Sequence, residues 1–362
     1  MTTPHQPGTE SLTTLLAKIT HAENLTRIEA EILMNELLAG KATDPQIVDF
    51  LTALRGKGET VDELVGFAKA MRRHAEPVFD AEWPADEMLV DTCGTGGDAR
   101  GTFNISTATA FVVAGVGVKV AKHGNRAFSS RCGSADVLEA FGIPLDLPPK
   151  VMGQAVRKIG VGFFFAPSVH SAMRHVAAAR KQIKSRTVFN LLGPLTNPAG
   201  AAAQVIGVFD AAYVERVACA LGELGARRAF VVHGADGLDE ISISGETVVA
   251  ELRDGQVYTY TISPEDFGLR RAPIEALAGG DPSDNTKIIH KLFGRSLLFR
   301  EHGPRRDIIV ANASAALVAA GRAANFTEGV GLAAQSLDTG EARAKLDALV
   351  SFASSAKSSQ SN

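Results

Sequence analysis

A glycine-rich turn at residues 91–98 (DTCGTGGD) constrains the fold of this chain more than any other stretch. The apolar run at residues 88–90 predicts the end of a buried strand, and the apolar run at residues 105–116 predicts a helix. Asn104 and Ser106 are residue types that start helices, and the glycines leave backbone N–H groups open to a ligand. This order of strand, glycine turn and helix start predicts an anion site built from backbone dipoles.

The glycine spacing excludes two common nucleotide motifs. No Lys-Ser or Lys-Thr pair follows the glycines, so the turn is not a P-loop, and it lacks the G-x-G-x-x-G pattern of dinucleotide sites. Taken alone, the stretch could also be a plain turn between a strand and a helix. Further clusters along the chain decide between these alternatives.

A second polar cluster favours the anion site. Residues 122–126 (KHGNR) follow a predicted strand at 118–121, and residues 129–134 (SSRCGS) continue the polar stretch. Cations and hydroxyls around a glycine suit a multiply charged phosphate ligand. Lys122 alone would be assigned to the surface, but its position one helix after the glycine turn favours a phosphate site.

A third cluster carries adjacent carboxylates. Asp239 and Glu240 end a polar turn at residues 233–240 (HGADGLDE), after a predicted strand at 229–232. Magnesium typically takes one or two carboxylates together with substrate phosphates and water. A general acid–base pair and a solvated acidic turn are the alternatives, and the two phosphate-type clusters favour a metal site.

A fourth region suits a flat organic anion. Residues 165–170 (FAPSVH), Arg180 and residues 187–198 (TVFNLLGPLTNP) combine aromatic side chains, prolines and a cation. The prolines and the glycine of residues 187–198 predict a loop held in one conformation. Taken alone, His170 and His175 would more often be ordinary surface or core histidines.

Residues 11–76 predict four amphipathic helices, because apolar residues recur at intervals of three and four. These helices contain no catalytic cluster, and they suit a scaffold or a dimer surface equally well. The predicted caps are Thr26 with Glu29, Asp44 before Pro45, and Thr60 with Glu63.

From residue 87 onward, short apolar strands alternate with helical segments, which predicts an α/β fold with a largely parallel sheet. Ligands in such folds bind at the carboxyl ends of strands, where the polar clusters lie. The other predicted elements are strands at 161–165 and 205–208, a hairpin turned at Asp254 and Gly255, and helices around 312–323 and 339–350. The expected domains are a helical one at 11–84, joined by helices from about 166–186, and an α/β one at 85–350, with mobile tails at 1–10 and 351–362.

Composition limits the expected partners. The 362-residue chain has a formal net charge of −3, which gives no reason to expect nucleic acid or a membrane surface as a partner. Cys93, Cys132 and Cys219 have no metal-binding spacing and suit a reducing cytoplasm. No signal peptide or membrane-spanning stretch is recognised in the sequence.

Together, the polar segments resemble one family, the anthranilate phosphoribosyltransferases, in order and spacing from about residue 11 to 350. The segments that carry the resemblance are 91–98, 104–107 (NIST), 122–126, 188–198 and 236–240 (DGLDE). This family transfers 5-phosphoribose from phosphoribosyl diphosphate (PRPP) to the amino group of anthranilate and releases diphosphate, the second step from chorismate in tryptophan biosynthesis. The resemblance implies a small helical N-terminal domain on a larger α/β domain with a mostly parallel sheet, as in nucleoside phosphorylases. It also implies two Mg2+ ions and a cytoplasmic homodimer formed through the helical domain.

The resemblance assigns roles to individual residues. For PRPP binding it implies Gly94, Gly97, Asp98, Thr102, Asn104, Ile105, Ser106, Thr107, Lys122, His123, Gly124, Asn125, Arg126, Ala127, Phe128, Ser129, Ser130 and Ser134. For anthranilate binding it implies Gly94, His123, Asn125, Ala166, Pro167, His170 and Arg180. The implied magnesium ligands are Ser106, Asp239 and Glu240, and the implied catalytic residues are Lys122, Arg180, Asp239 and Glu240. Met173 departs from the aromatic residue that some members carry on the same helix.

The chemistry of such a reaction agrees with these residue types. An aromatic amine is neutral and nucleophilic at pH 7, so we expect neither a strong general base nor a covalent intermediate, and Cys93 is interpreted as a small buried residue. Two alternatives stay open. A pyrimidine nucleoside phosphorylase of the same fold would not need the acidic pair, and a non-catalytic relative that binds nucleic acid would need a basic face.

Overall fold

The polypeptide folds into a helical unit and an α/β unit. A computed structural model describes residues 11–96, 100–127, 130–294 and 302–360. The helical unit comprises Met1–Ala75 and His170–Leu192, and the α/β unit comprises Glu76–Val169 and Gly193–Asn362. The helices are α1 (Leu12–Thr20), α2 (Arg27–Leu38), α3 (Asp44–Lys57), α4 (Val61–Arg73), α5 (Ile105–Gly115), α6 (Ser134–Ala140), α7 (Pro149–Ile159), α8 (Ala166–Val169), α9 (Arg174–Ile183), α10 (Val188–Leu195), α11 (Val214–Glu223), α12 (Pro282–Leu292), α13 (Pro304–Ala319), α14 (Phe326–Asp338) and α15 (Glu341–Gln360).

The four predicted N-terminal helices are present as α1 to α4. Helix α2 packs on α4, and α3 packs on α1 and α9. The capping boxes of Thr26 and Thr60 are confirmed, since each threonine accepts from the backbone N–H three residues later. The prediction for α3 is wrong by one residue: Thr43 is the N-cap, because the Gln46 side chain accepts a hydrogen bond from its backbone N–H at 2.9 Å. Ile28, an apolar residue in the first turn of α2, is 71% exposed.

A buried ion pair closes the core of the helical unit. Glu63 in α4 is fully buried and accepts hydrogen bonds from the backbone N–H groups of Leu25, at 3.0 Å, and Thr60, at 2.8 Å. It also pairs with the ammonium of Lys57 at 2.8 Å, and the Lys57 side chain is almost fully buried. One carboxylate thus joins the start of α2, the end of α3 and the start of α4.

Among the described residues of the α/β unit, seven strands form one sheet, in the order β3-β2-β1-β4-β5-β6-β7. The strands are β1 (Leu89–Gly94), β2 (Lys119–Gly124), β3 (Val161–Phe165), β4 (Ala203–Gly207), β5 (Arg228–Gly234), β6 (Thr247–Arg253) and β7 (Gln256–Ile262). Strands β1 to β5 are parallel to one another, whereas β6 is antiparallel to β5 and β7 is antiparallel to β6. This sheet, together with the helical unit, confirms the predicted fold class.

The predicted hairpin is also present. Strands β6 and β7 meet at Asp254 and Gly255, which both have positive φ, at 51° and 74°. Two positive φ values in a two-residue loop match the twist of the flanking strands. The core of the unit forms where α5 and α13 pack on each other and on the central strands. Helix α5 is buried along most of its length and packs on β1 and β2, so the position of its amino end is fixed relative to these strands.

The central strands run further than the apolar pattern predicts. Strand β1 continues to Gly94 because it stays paired with β4, and β2 continues to Gly124 because it stays paired with β3. The polar residues that follow the apolar runs, such as Lys122, therefore lie within strands and not after them. Strand pairing across the sheet, which local hydropathy does not report, extends both elements.

Two predictions of irregular structure are wrong. Residues 188–195 form helix α10, in which Val188, Leu192 and Leu195 are buried and Asn190 accepts a hydrogen bond from the Thr187 N–H at 3.0 Å. Burial of the apolar residues outweighs the internal proline. The predicted tail at 351–362 is helical as far as residue 360, where α15 ends.

The serine-rich end of α15 is held by two kinds of contact. Ala353 is buried, and the Lys158 ammonium lies 5.7 Å from the centre of the Phe352 ring. Serine hydroxyls donate to carbonyl groups four residues back, as Ser355 does to Ser351 at 2.9 Å. The composition indicated disorder, but these packed residues keep the helix in place. Residues 1–10, 361 and 362, predicted as tails, lie outside the described residues. In the part of the chain that the structure describes, no helix is long and apolar enough to cross a membrane.

The buried pair predicts unequal effects of two neighbouring acids. Glu63→Ala leaves the Lys57 cation buried without its carboxylate, so we expect the free energy of unfolding to fall by about 3–5 kcal/mol. Asp62→Ala removes only the exposed pair with Arg27 and should cost less than about 1 kcal/mol. Chemical denaturation of both variants measures this difference. Equal losses would contradict the assignment of Glu63 as the centre of the helical unit.

Candidate active site

The candidate site lies at the carboxyl ends of the central strands. The chain runs from β1 outward to β3 on one side, then returns to β4 on the other side of β1 and continues outward to β7. In open α/β sheets, such a change of direction makes a crevice at the carboxyl ends of the two strands, here β1 and β4, and ligands bind in that crevice. Gly94 and Gly207 end these two strands and are register partners.

Asp239 lies directly against both terminal glycines. A Cβ atom on Gly207 would stand 1.5 Å from the Asp239 carbonyl oxygen, and one on Gly94 would stand 2.6 Å from its Oδ2 atom. The same Oδ2 atom accepts a hydrogen bond from the Gly96 N–H at 2.8 Å. The glycine turn and the acidic turn, which are more than 140 residues apart, are therefore in contact, and only glycine fits at the end of β4.

Glu240 lies at the amino end of α5. Its Oε1 atom accepts a hydrogen bond from the Ser106 N–H at 3.0 Å, and the residue is largely buried. A helix amino end carries a partial positive charge that stabilises a carboxylate. The structure thus brings together all three predicted magnesium ligands: Ser106, Asp239 and Glu240.

The donors of this cluster fit magnesium. Two carboxylates and a hydroxyl are hard oxygen donors, and magnesium commonly takes only one or two protein carboxylates, with substrate phosphates and water completing its shell. Among the described residues no group of three or more His, Cys, Asp or Glu side chains could hold a metal. Two carboxylates and one hydroxyl leave most of the magnesium shell to other ligands, so the cluster is suited to a cation that arrives with a phosphate ligand.

Lys122 is buried next to this cluster, with only 3% of its surface exposed. Its ammonium donates to the Thr92 carbonyl and, at 3.3 Å, to the Ser106 hydroxyl. Lys122 therefore lies near the glycine turn, as predicted, but its side chain lies between β1 and the start of α5. From there it contributes positive charge beneath the helix end.

The loop after β2 is organised by acids of α6. The Arg126 guanidinium pairs with Asp136 at 2.9 Å and with Glu139 at 2.7 Å, so its charge is engaged by carboxylates. Asp136 also accepts from the N–H groups of Ala127 and Gly133, each at 2.9 Å. A phosphate near Arg126 would therefore meet a side chain that two carboxylates already engage. Sequence reasoning did not identify either acid.

Asn104 precedes α5 but does not cap it with its side chain. Its Oδ1 atom accepts from Asn285 at 2.9 Å and from the Cys132 thiol at 3.3 Å, and its amide donates to the Cys132 carbonyl at 3.2 Å. Burial raises the pKa of Cys132 to about 11, so the thiol stays protonated and can donate. Asn285, on α12, was missed because no sequence motif surrounds it.

The remaining predicted PRPP residues divide into described and undescribed positions. The Thr107 hydroxyl, one turn into α5, is buried and has no hydrogen-bond partner among the described residues. The Ser134 hydroxyl donates to the Asn125 carbonyl at 3.2 Å, and the His123 ring lies 3.2 Å from the Gly193 carbonyl. Thr102 forms an isolated β-bridge with Ala278. The other described members are Ile105, Gly124, Ala127 and Ser130. Gly97, Asp98, Phe128 and Ser129 lie outside the described residues.

The predicted anthranilate residues belong to both units. Gly94, His123, Asn125, Ala166 and Pro167 are in the α/β unit, where the last two begin α8 directly after β3, and His170 and Arg180 are in the helical unit.

Arg180, on α9, is a desolvated cation. Its guanidinium carbon lies 4.8 Å from the centre of the Phe189 ring, and burial lowers its pKa. It has no hydrogen bond or ion pair to a described residue, so its donors are available to an anion. Met173 ends the short helical turn Ser171–Met173 just before α9. Cys93 is buried, and burial raises the pKa of its thiol, which agrees with its interpretation as a small buried residue and not a nucleophile.

The fold and this site define a two-part glycosyl transferase. A family described as "Glycosyl transferase family, a/b domain" matches residues 86–343, and one described as "Glycosyl transferase family, helical bundle domain" matches residues 13–75. A relative named anthranilate phosphoribosyltransferase, from Desulfosudis oleivorans, is 54% identical over 341 residues, which are 94% of this chain and 98% of that protein. The chain belongs to the anthranilate phosphoribosyltransferase family.

Solved structures agree. The anthranilate phosphoribosyltransferase of Thermus thermophilus aligns with a TM-score of 0.87 at 45% identity, covering 94% of this chain and 99% of that one. The Saccharomyces cerevisiae enzyme in complex with PRPP and Mg aligns with a TM-score of 0.84 at 27% identity, covering 95% and 98%. The yeast enzyme has also been solved in complex with 4-fluoroanthranilate. These relatives confirm the predicted family and favour it over a nucleoside phosphorylase or a nucleic-acid-binding relative.

The contact between Asp239 and the end of β4 can be tested with a single methyl group. We expect Gly207→Ala to displace the acidic turn, lowering the free energy of unfolding by about 1–3 kcal/mol and phosphoribosyl transfer by at least about tenfold. Gly245→Ala is the control, because a Cβ atom there meets no atom within 4 Å. Unfolding curves and initial rates of both variants measure the effect. Normal rates in Gly207→Ala would rule out a functional role for this contact.

Proposed function

We propose that this chain transfers 5-phosphoribose from PRPP to the amino group of anthranilate in a magnesium-dependent reaction, giving N-(5-phosphoribosyl)anthranilate and diphosphate. The observation that carries the proposal is the meeting of Asp239 and Glu240 with the glycine turn and the amino end of α5. One position thus offers carboxylates for a divalent cation and backbone dipoles for a phosphate. The membership of the family, at 54% identity to one relative over nearly the whole chain, supports the acceptor and the donor.

Asp239, Glu240 and the Ser106 hydroxyl would hold the magnesium, two ions in our proposal, together with the diphosphate of PRPP. When bound, magnesium neutralises the negative charge that builds on a diphosphate leaving group. The protein adds fixed dipoles at the same place. The N–H groups at the start of α5 and the Lys122 ammonium direct positive charge toward the crevice without having to reorganise during the reaction.

Arg180 is proposed to bind the anthranilate carboxylate. A guanidinium offers donors in a planar fork that match a carboxylate, and a desolvated cation without an ion pair to a described residue gains most from such a partner. Gly94, His123, Asn125, Ala166, Pro167 and His170 are proposed as the other anthranilate contacts. Binding of the carboxylate orients the amine, which needs no deprotonation before attack because an aromatic amine is neutral at pH 7.

The PRPP site is proposed to comprise the remaining residues that the family resemblance implies, including Gly97, Asp98, Phe128 and Ser129. A homodimer through the helical domain and a cytoplasmic location also belong to the proposal. The three cysteines are free, which suits a reducing compartment.

The acidic pair can be tested without removing its hydrogen-bond acceptors. In the double variant Asp239→Asn, Glu240→Gln, each amide oxygen can still accept from the Gly96 or Ser106 N–H, but the charge for magnesium is lost. We expect the rate of phosphoribosyl transfer to fall by at least about 100-fold, the scale of losing electrostatic stabilisation of a transition state. The loss of anthranilate fluorescence, with and without magnesium, measures the rate.

Glu246→Gln is the matched control for this variant, because Glu246 is an exposed acid of the same segment. It should react at the normal rate. Turnover of the double variant close to that of the unmodified protein at saturating magnesium would disprove the metal site. Absence of any anthranilate loss from the unmodified, PRPP-binding protein would disprove anthranilate as the acceptor.

The role of Arg180 predicts an effect on one substrate only. Arg180→Gln should raise the KM for anthranilate by about 10–100-fold, because a charge-assisted hydrogen bond to the carboxylate is lost, and should change the KM for PRPP less than about twofold. Lys181→Gln, an exposed neighbour on the same helix, should leave both constants unchanged. Initial rates with each substrate varied in turn distinguish these outcomes. Equal changes in both constants would contradict a carboxylate-binding role.

A further inference from the structure

The two central strands β1 and β2 separate before they reach the site. Their backbone pairing is limited to the registers Leu89 with Lys119 and Val90 with Val120. Beyond this point β1 stays paired with β4 as far as Gly94, and β2 stays paired with β3 as far as Gly124. The sheet therefore has a split between β1 and β2 over the residues that lead to the crevice.

The side chain of Asp91 fills this split. One carboxylate oxygen, Oδ1, accepts a hydrogen bond from the His123 backbone N–H at 3.2 Å. The other, Oδ2, accepts from the Asn197 amide at 2.7 Å, and the same amide nitrogen donates to the Ala121 carbonyl at 2.7 Å. Asp91 is fully buried, and Asn197 almost so. Where the backbone ladder stops, a carboxylate and an amide continue to join the two strands.

The charge of Asp91 also interacts with that of a buried cation, Lys122. Burial raises the pKa of Asp91, while the charge of Lys122 and the hydrogen bonds from Asn197 and His123 act in the opposite direction and favour the carboxylate. Lys122 in turn donates to the Ser106 hydroxyl, one of the proposed magnesium ligands. A buried ammonium without a nearby negative charge would be strongly destabilised, and its side chain would move or lose its proton.

We propose that Asp91 is a positioning residue for phosphoribosyl transfer. By closing the split between β1 and β2, Asp91 fixes the positions of the Lys122 ammonium and of the His123 backbone at the end of β2. The inference rests on the proposed function, because Asp91 affects the reaction through Lys122 and Ser106, which that function places at the PRPP and magnesium site. Asp91 is fully buried and is not among the residues proposed to bind substrate or metal. Its influence passes along β2 to the residues that do.

Asp91→Asn tests the proposal with little change of shape. The new amide can present one oxygen to the His123 N–H, but its NH2 group then faces the NH2 group of Asn197, and the charge opposite Lys122 is gone. We expect the affinity for PRPP with magnesium to weaken and kcat to fall, so that kcat/KM for PRPP drops by about 10–100-fold. Titration calorimetry with PRPP and magnesium, and initial rates, measure the two effects.

Two further variants separate positioning from stability. Glu251→Gln alters another buried carboxylate of the same sheet, which accepts from Arg228 at 2.9 Å and from Tyr260 at 3.0 Å. It should lower the unfolding temperature and leave PRPP affinity and kcat unchanged. The double variant Asp91→Asn, Asn197→Asp restores an amide–carboxylate pair and a negative charge in the split, so it should recover part of the lost kcat/KM. Recovery stays partial, because the carboxylate that replaces the Asn197 amide cannot donate to the Ala121 carbonyl.

The outcomes are distinct. An Asp91→Asn protein that binds PRPP and reacts as the unmodified protein does, within about twofold, overturns the proposal, and so does a loss of stability without a change in affinity or kcat. An unmodified protein that binds PRPP but consumes no anthranilate would instead disprove the proposed function. The calorimetric comparison of Asp91→Asn would still decide the role of Asp91 in that case.

Discussion

The close approach of the Asp239 backbone to the ends of β1 and β4 is the contact on which the site depends. At Gly207 the carbonyl oxygen of Asp239 occupies the space where any other residue would carry its Cβ atom. This contact places the acidic turn at the amino end of α5, where the helix dipole stabilises Glu240. Without it, carboxylates more than 140 residues from the glycine turn would have no fixed relation to it. Two glycines at strand ends thus decide where the proposed metal ligands lie.

Local patterns in the sequence predicted the parts of this site that are built locally. The glycine turn, the start of α5 and the Asp239–Glu240 pair each follow a strand, and the parallel sheet brings strand ends to one edge, so their meeting was predictable. Gly207 was not identified, because it carries no chemistry and its importance comes from a contact with a distant backbone. Asn285 and the Asn197 contact to Asp91 were missed for the same reason. A buried amide that bonds across more than 100 residues leaves no local pattern.

The incorrect predictions have a common physical cause. Residues 188–195 and 351–360 were judged by their prolines and serines, which are residue types that favour loops, yet both segments are helical. In each case apolar side chains, among them Leu192 and Ala353, are buried against other elements. Tertiary packing contributes more to helix stability than residue propensity does. The strand ends of β1 and β2 were misplaced because pairing with neighbours outweighs the local change to polar residues.

The chain concentrates charge at its site while remaining near neutrality as a whole. Lys122 is almost completely buried and its ammonium is bound by a carbonyl and a hydroxyl, with Asp91 behind it and Glu240 before the helix end. Negative charges nearby, among them Asp91, offset the long-range attraction of such a cation, but close by its field acts through a medium of low polarisability, where a charge has a larger effect than in water. A net charge of −3 is then no obstacle to binding a diphosphate. The buried arrangement requires that each charge be balanced within the protein, and this requirement explains why an acid lies at the first position of the glycine motif, in the interior of the sheet.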